Sequence, residues 1–189
     1  MRDLIIESLK ESTKIKELIA KDYVEDIIEI SRLLIKTFKQ NGKVLLIGNG
    51  GSSADASHIA SELVGRLKLE RKPLPAISLS TDTSVLTSLA NDYGSDTIFS
   101  RQVEVLIDKK DVLIAISTSG ASSNILKAVK VARSKKAKIV AFTGIKGDRL
   151  ARLADYLIMV PSSNTQRIQE AHITIAHIIC EIVEEKLFK

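Results

Sequence analysis

The first 41 residues carry hydrophobic side chains at the spacing of an α-helix. Ile27, Ile30 and Leu34 recur at intervals of three and four positions, and the segment contains no glycine or proline. Such a period places apolar side chains on one stripe of a helix. Asn41-Gly42 then supplies a signal typical of a helix C-terminus. We predict a long helix or a helical pair over residues 1–41.

Five short hydrophobic runs follow, and each is continuous rather than alternating. They are Val44–Ile47, Ala76–Leu79, Val112–Ile116, Ile139–Phe142 and Tyr156–Val160. Strands covered on both faces of a parallel sheet have this pattern. Most segments between them are long and helical in pattern, and Thr165–Leu187 is predicted to be a long amphipathic helix with caps offered by residues 162–164. The predicted fold class is α/β: a doubly wound, five-stranded parallel sheet flanked by helices, with an N-terminal helical extension.

The composition is that of a folded domain. The 189 residues are 44% hydrophobic and 27% charged, which excludes a disordered chain, and at roughly 150 residues per domain they predict one domain over 1–189. No apolar run reaches the roughly 18 residues of a membrane span, and no signal-peptide core follows Met1. We expect a cytoplasmic protein with no membrane partner. The single cysteine, Cys180, lies among isoleucines and is predicted to be a buried thiol.

The charge is modestly positive, with 28 basic and 23 acidic residues and a net charge of +5. The excess lies in residues 127–152, which contain only one acid, Asp148. Nucleic-acid binding would need aromatic side chains between the basic ones, and none occurs there. We therefore predict no nucleic-acid partner. A solvated helix face is the simpler interpretation, and a positive potential that attracts a small anionic substrate is the functional one.

Two loops at strand ends have the composition of anion sites. Gly48-Asn49-Gly50-Gly51-Ser52-Ser53 follows the first strand, and residues 117–124, with five hydroxyl side chains, follow the third. Ligands of doubly wound sheets bind beyond the carboxyl ends of strands, where helix N-termini offer free N–H groups. The first loop lacks the third glycine of a dinucleotide fingerprint and the Lys of a P-loop. The two loops together favour a phosphorylated sugar.

Histidine and glutamate residues form a second group of candidates. His58 and Glu62 stand four residues apart on a predicted helix and share a face, so they could chelate a metal or form a simple surface contact. On the last helix, His172 falls on the apolar stripe and is predicted to be a core residue. His177 points elsewhere and is freer to face a site or a neighbouring subunit. Gln169 and His177 are separated by roughly 12 Å of helix rise, so one metal binds both only if the side chains reach toward each other.

At this point the motifs are recognisable. Gly48-Asn49-Gly50-Gly51-Ser52, Asp55-Ala56-Ser57-His58, Ala90-Asn91-Asp92-Tyr93-Gly94, Ile116-Ser117-Thr118-Ser119-Gly120 and Arg167-Ile168-Gln169-Glu170-Ala171-His172 occur in this order. The chain resembles the phosphoheptose isomerase family, of the sugar isomerase (SIS) domain class, over nearly its whole length. The resemblance implies isomerisation of sedoheptulose 7-phosphate to D-glycero-D-manno-heptose 7-phosphate through an enediol, at the entry to heptose precursors of the bacterial cell surface. It also implies a homotetramer with sites between subunits, in which the helices of residues 1–41 pack.

The resemblance also assigns residues to roles. It makes Glu62 the base and His177 the acid, and it implies one Zn²⁺ per subunit on His58, Glu62, Gln169 and His177. The implied substrate-binding residues are Asn49, Gly50, Gly51, Ser52, Glu62, Asn91, Asp92, Ser117, Thr118, Ser119, Ser122 and Gln169. Gln166 departs from relatives that carry an acid before the arginine.

Two other functions share this fold. A non-catalytic relative that binds the bacterial replication initiator, or a sugar-phosphate sensor, would keep the phosphate loops but lack counterparts of Glu62 and His177. An isomerase for another sugar phosphate would differ only in the length of its substrate. The retained Glu62 and His177 favour the enzyme over the binding module.

Overall fold

The computed structural model describes all residues, 1–189, as a five-stranded parallel sheet with helices on both faces. The strands are β1 Val44–Gly48, β2 Ala76–Ser78, β3 Val112–Ser117, β4 Lys138–Gly144 and β5 Tyr156–Val160. The helices are α1 Arg2–Asp22, α2 Val24–Lys39, α3 Gly51–Val64, α4 Thr83–Tyr93, α5 Ser100–Leu106, α6 Ser123–Ser134, α7 Asp148–Ala151 and α8 Thr165–Phe188. The predicted α/β class, doubly wound sheet and N-terminal helices are confirmed.

The strand order is β2-β1-β3-β4-β5. The chain therefore moves one way across the sheet from β1 and the other way from β3, and the reversal lies between these two strands. Neighbouring loops diverge at such a reversal and leave a crevice beyond the carboxyl ends of the strands. The two loops predicted to bind anions are those that flank this reversal.

Both faces of the sheet are buried, which explains the continuous hydrophobic runs. In β1, Val44 and Leu46 pack under α1, α2, α3 and α8, whereas Leu45 and Ile47 face α5 and α6. All four side chains have no exposed surface. Burying a side chain of this size contributes about 1.5–3 kcal/mol relative to leaving it in water, so apolar residues are favoured at all four of these positions.

The helical termini differ slightly from their predicted limits. Residues 1–41 form two helices that meet at Tyr23, and α2 ends at Lys39. Asn41, rather than Gly42, adopts the left-handed conformation, with a φ of 56°. Asn tolerates this conformation because its short polar side chain bonds locally. None of the eight helices combines the length and hydrophobicity needed to cross a bilayer.

Candidate active site

The glycine-rich turn after β1 brings the backbone to the edge of the sheet reversal. Gly50 has a φ of 54°, and a side chain there would meet no atom within 4 Å, so the turn leaves open space above it. Gly51 begins α3, and a Cβ at this residue would lie 2.5 Å from the side chain of Gln169. Ser52 is buried, while Asn49 is exposed. A larger residue at position 51 would therefore require the end of the Gln169 side chain to move.

The hydroxyl-rich loop after β3 lies beside this turn. Asn49 and Asn124 exchange two hydrogen bonds, Nδ2 to Oδ1 in each direction, of 3.0 and 2.9 Å. Asn124 belongs to the loop predicted to bind an anion, but nothing in its sequence context indicates this pairing. The pairing fixes the two loops against each other, at the point where the sheet order reverses.

Hydroxyl groups of the second loop cluster at the start of α6. The Oγ atoms of Ser117 and Ser122 are 3.4 Å apart, and the Ser119 Oγ accepts a bond of 3.3 Å from the amide of Ala121. Ser122 is the N-cap residue of α6, but its side chain makes no capping bond. The first N–H groups of a helix have no partner within the helix. Hydroxyl groups and free N–H donors thus occur together at the start of α6, an arrangement suited to a phosphate group.

The predicted residues Asn91 and Asp92 lie on the last turn of α4. Both are exposed, and the Asn91 Nδ2 donates a bond of 2.8 Å to the Asp92 carboxylate. No hydrogen bond links either residue to the two loops. Helix α4 contains no buried residue, so its contacts to the rest of the chain are limited.

His58, Glu62 and His177 come together on the facing sides of α3 and α8. The His58 Nε2 is 3.0 Å from the Glu62 Oε1 and 3.3 Å from the His177 Nε2. The rings of the two histidines meet edge to face, with centroids 4.9 Å apart. We call these three residues the His-Glu cluster. The contact between His58 and Glu62 could be expected from their spacing of four residues on one helix. The approach of His177 depends on how α8 packs against α3.

Helices α3 and α8 run side by side in the same direction, which explains the cluster. Gly51 meets Gln169 near the two N-termini, and His58 meets His177 about two turns later on each helix, a rise of roughly 10–12 Å. Gln169 thus contacts the glycine turn, whereas the three donors of the cluster lie farther along the helices. Gln169 as a fourth metal ligand stays a prediction.

The donor atoms of the His-Glu cluster fit a zinc ion. They lie within 4.8 Å of one another, and two imidazole nitrogens with one carboxylate oxygen form a common zinc donor set. Ligands at about 2.0–2.1 Å from a tetrahedral ion are separated by roughly 3.3 Å, close to the two distances of 3.0 and 3.3 Å in this cluster. Three protein donors leave a position for a substrate oxygen or for Gln169.

Two other ionisable groups near these helices have perturbed pKa values. Burial raises the pKa of Asp55, although the charge of nearby His58 opposes this, and its Oδ2 is buried with no hydrogen-bond partner. Burial also lowers the pKa of His172 to about 4, against an opposing bond to the Thr143 carbonyl. His172 is 1% exposed, so its predicted place in the core is confirmed. Cys180 is also buried, as predicted.

The chain is similar over nearly its whole length to known proteins. The SIS domain family model matches residues 8–144. The chain is 50% identical over 185 residues to the phosphoheptose isomerase of Aquifex aeolicus, which covers 98% of this chain and 97% of the relative. The structure of the phosphoheptose isomerase from Neisseria gonorrhoeae superposes with a TM-score of 0.92 at 39% identity, covering 97% of this chain and 98% of that one. The corresponding structure from Francisella tularensis has a TM-score of 0.94 at 36% identity, with 97% of each chain covered. From its SIS domain and its full-length similarity to these proteins, the chain belongs to the phosphoheptose isomerase family.

Proposed function

We propose that this protein is a ketose–aldose isomerase that converts sedoheptulose 7-phosphate to D-glycero-D-manno-heptose 7-phosphate. The observation that carries the proposal is the His-Glu cluster, placed two helical turns from loops suited to a phosphate. A rise of roughly 10 Å between them is comparable to the length of an extended seven-carbon chain. Its relatives are named phosphoheptose isomerases. The product would feed the heptose precursors of bacterial cell-surface polysaccharide.

Each residue of the cluster has a defined task in the proposed reaction. The Glu62 carboxylate removes the proton from carbon 1 of the ketose and returns it to carbon 2, which converts the ketose to the aldose. His177 donates a proton to the carbonyl oxygen on carbon 2 as the cis-enediol forms, and it takes up the proton of the carbon 1 hydroxyl as the aldose forms. The two side chains lie on different helices, α3 and α8, and their donor atoms lie within 4.8 Å of each other, so both can reach the same end of the substrate. His58 contacts both groups and holds them at 3.0 and 3.3 Å.

We further propose that the cluster binds one Zn²⁺ ion, with Gln169 as a fourth ligand. The chemistry and separation of the three donors support the ion, whereas Gln169 is included because of the resemblance to the family. A bound zinc ion would supply Lewis-acid stabilisation of the negative charge that develops on the enediol oxygens. Glu62 is both a proposed ligand and the proposed base, and these two roles compete because a cation favours the ionised, less basic carboxylate.

The loops bind the other end of the substrate in this proposal. Ser117, Thr118, Ser119 and Ser122 hold the phosphate with the first N–H groups of α6, and Asn49, Ser52 and Asp92 contact the sugar hydroxyls. The support is the number of uncharged donors at one helix N-terminus. Because the two asparagines tie the loops together, binding of the phosphate and orientation of the sugar are coupled.

A cytoplasmic homotetramer is proposed as the working assembly. Leu4, Ile5 and Leu9 on α1 are each more than half exposed. An apolar groove of about 360 Å³ lies between α1, α2 and α8. Exposed apolar surface of this kind favours contact with another copy. Light scattering should then give a mass near four times the 20.7 kDa of one chain, and a monomer would contradict it.

The test is turnover of sedoheptulose 7-phosphate by the purified protein, before and after removal of metal by a chelator. We expect turnover that the chelator abolishes and that added Zn²⁺ restores. Glu62→Gln should lower kcat by about 100-fold or more, the typical contribution of a general base. Glu70→Gln, which changes an exposed carboxylate outside the cluster, is the matched control and should retain activity.

Different results would refute different parts of the proposal. A fully active Glu62→Gln variant would exclude Glu62 as the base. Unchanged turnover after complete metal removal would exclude a role for zinc. An intact assembly that binds the sugar phosphate without turnover would indicate the alternative function, a binding module, and turnover of a shorter sugar phosphate alone would change the substrate.

A further inference from the structure

A buried ion pair lies directly beyond the His-Glu cluster. Arg71, on the segment that follows α3, and Glu184, on α8, are joined by a contact of 3.0 Å between Nε and Oε2. Their side chains are 1% and 2% exposed. A charged pair is costly to bury and persists only where further hydrogen bonds satisfy both groups. The partners of these two side chains are therefore informative.

Arg71 binds the end of the helix that carries Glu62. Its Nη2 donates to the carbonyl oxygen of Glu62 at 2.8 Å, and its Nη1 donates to that of Leu63 at 2.7 Å. The last carbonyl groups of a helix have no partner within the helix. The guanidinium fork thus fixes the last turn of α3 at the residue that bears the cluster's carboxylate.

Glu184 connects the same region to the helix that carries His177. Its carboxylate accepts bonds from three consecutive amides, those of Leu67 at 3.0 Å and of Lys68 and Leu69 at 2.8 Å. Glu184 follows His177 by seven residues, close to two full turns, so both lie on the same side of α8. The carboxylate therefore joins α8, about two turns beyond His177, to the segment that follows α3.

We propose that Arg71 and Glu184 are positioning residues for the His-Glu cluster. They set the relative position of α3 and α8, and with it the distance between Glu62 and His177. This inference rests on the proposed isomerase function and adds residues that do not touch the substrate. Groups that orient metal ligands and catalytic side chains typically change metal affinity or activity by about 10–100-fold when they are replaced.

The experiment compares Arg71→Lys and Glu184→Gln with a matched control. Asp111 is buried and accepts bonds from two backbone amides and the Lys43 ammonium, but nothing connects it to α3 or α8 through a hydrogen bond or ion pair. Asp111→Asn thus perturbs a comparable buried carboxylate away from the cluster. For each variant, kcat, KM, the zinc dissociation constant by competition with a chelating dye, and Tm are measured.

We expect both test variants to lower kcat tenfold or more, with KM within about twofold, and to weaken zinc binding tenfold or more, in line with the effect of such orienting groups. Asp111→Asn should lower Tm while leaving kcat and zinc affinity close to wild type. Equal losses of Tm in all three variants, with kcat and zinc affinity unchanged throughout, would overturn the proposal. If Glu184→Gln does not fold, Arg71→Lys, which keeps the charge and loses the fork, decides the question.

Failure of the proposed function would be visible separately, as a wild-type protein without turnover. The ring-nitrogen NMR signals of His58 and His177 then provide the test, because they report the geometry of the cluster without substrate. Shifts caused by Glu184→Gln and absent in Asp111→Asn would support the positioning role. Unshifted signals in Glu184→Gln would refute it.

Discussion

Acidification should weaken this fold through one buried histidine. The Nε2 of His172 lies 3.2 Å from the carbonyl oxygen of Thr143, and its Nδ1 is buried with no hydrogen-bond partner. The ring of Phe142 packs against it at 5.5 Å between centroids. A proton on Nδ1 would add a buried charge and a donor without an acceptor, which is why burial lowers the pKa to about 4 from 6.5.

The direction and size of the effect follow from linkage. Below pH 6.5 the unfolded chain binds a proton at His172, whereas the folded chain does so only near pH 4. Protonation of the unfolded chain therefore lowers the free energy of unfolding as the pH falls from 6.5 toward 4. Above pH 6.5, His172 is neutral in both states and this loss of stability is absent. With 1.36 kcal/mol per pKa unit, the loss between pH 7.5 and pH 5 is about 2 kcal/mol.

Urea unfolding at pH 7.5 and pH 5, at one protein concentration, measures this loss. The reference variant is His172→Gln, whose amide can still donate to the Thr143 carbonyl but does not titrate. Other ionisable groups are common to both proteins, so their contributions cancel in the difference. The wild-type free energy of unfolding should fall by about 2 kcal/mol more than that of the variant. An equal fall in both proteins would show that His172 does not titrate in this window.

Three further predictions follow from single residues. Asn124→Ala removes both hydrogen bonds to Asn49. It should destabilise the loops by about 1–2 kcal/mol and raise KM for the sugar phosphate several-fold. An unchanged KM in steady-state kinetics would contradict the coupling of the loops. Gly120→Ala places a Cβ 2.5 Å from the Cα of Gly147 at a φ of 59°, so it should cost about 2 kcal/mol or more, and an unaltered Tm would show that the turn relaxes freely. Burial raises the pKa of Glu184, but its hydrogen bonds to backbone amides and to Arg71 outweigh burial and lower the pKa to about 2. The ionised carboxylate therefore stabilises the fold at pH values above 4.5, its pKa in the unfolded chain. This contribution of about 3 kcal/mol is lost as the pH falls toward 2. Glu184→Gln should remove that acid dependence, and an acid unfolding curve of the same slope would refute it.

The strands were predictable because burial on both faces leaves a direct mark on the sequence. All five predicted runs are strands, with limits within two residues of those observed. Val112–Ile116, for example, consists of residues with at most 3% exposure, so every position had to be apolar. The ends were less certain: β2 ends at Ser78 rather than Leu79, although the Leu79 amide still bonds to Leu46.

The loops and the pair of His58 and Glu62 were also predictable, since their chemistry is local. Glycines and hydroxyls in one turn are neighbours whatever the rest of the chain does, and residues four apart on a helix share a face. The role of Asn124 was not predictable in this way. Its partner Asn49 is 75 positions away, and only the reversal of strand order brings the two loops side by side.

The sequence alone was thus sufficient for features that depend on short-range order: the class of fold, the strands, the buried His172 and Cys180, and the family to which the motifs belong. The assembly of the His-Glu cluster and of its neighbouring ion pair depends on the packing of α8 on α3. It brings His177 to within 3.3 Å of a residue 119 positions earlier, and it places Arg71 on the carbonyl of Glu62 and against Glu184. Periodicity tells which face of a helix is apolar, but the axial register between two helices depends on close-packed side chains and backbone contacts, such as Gly51 against Gln169, that exist only in the folded chain.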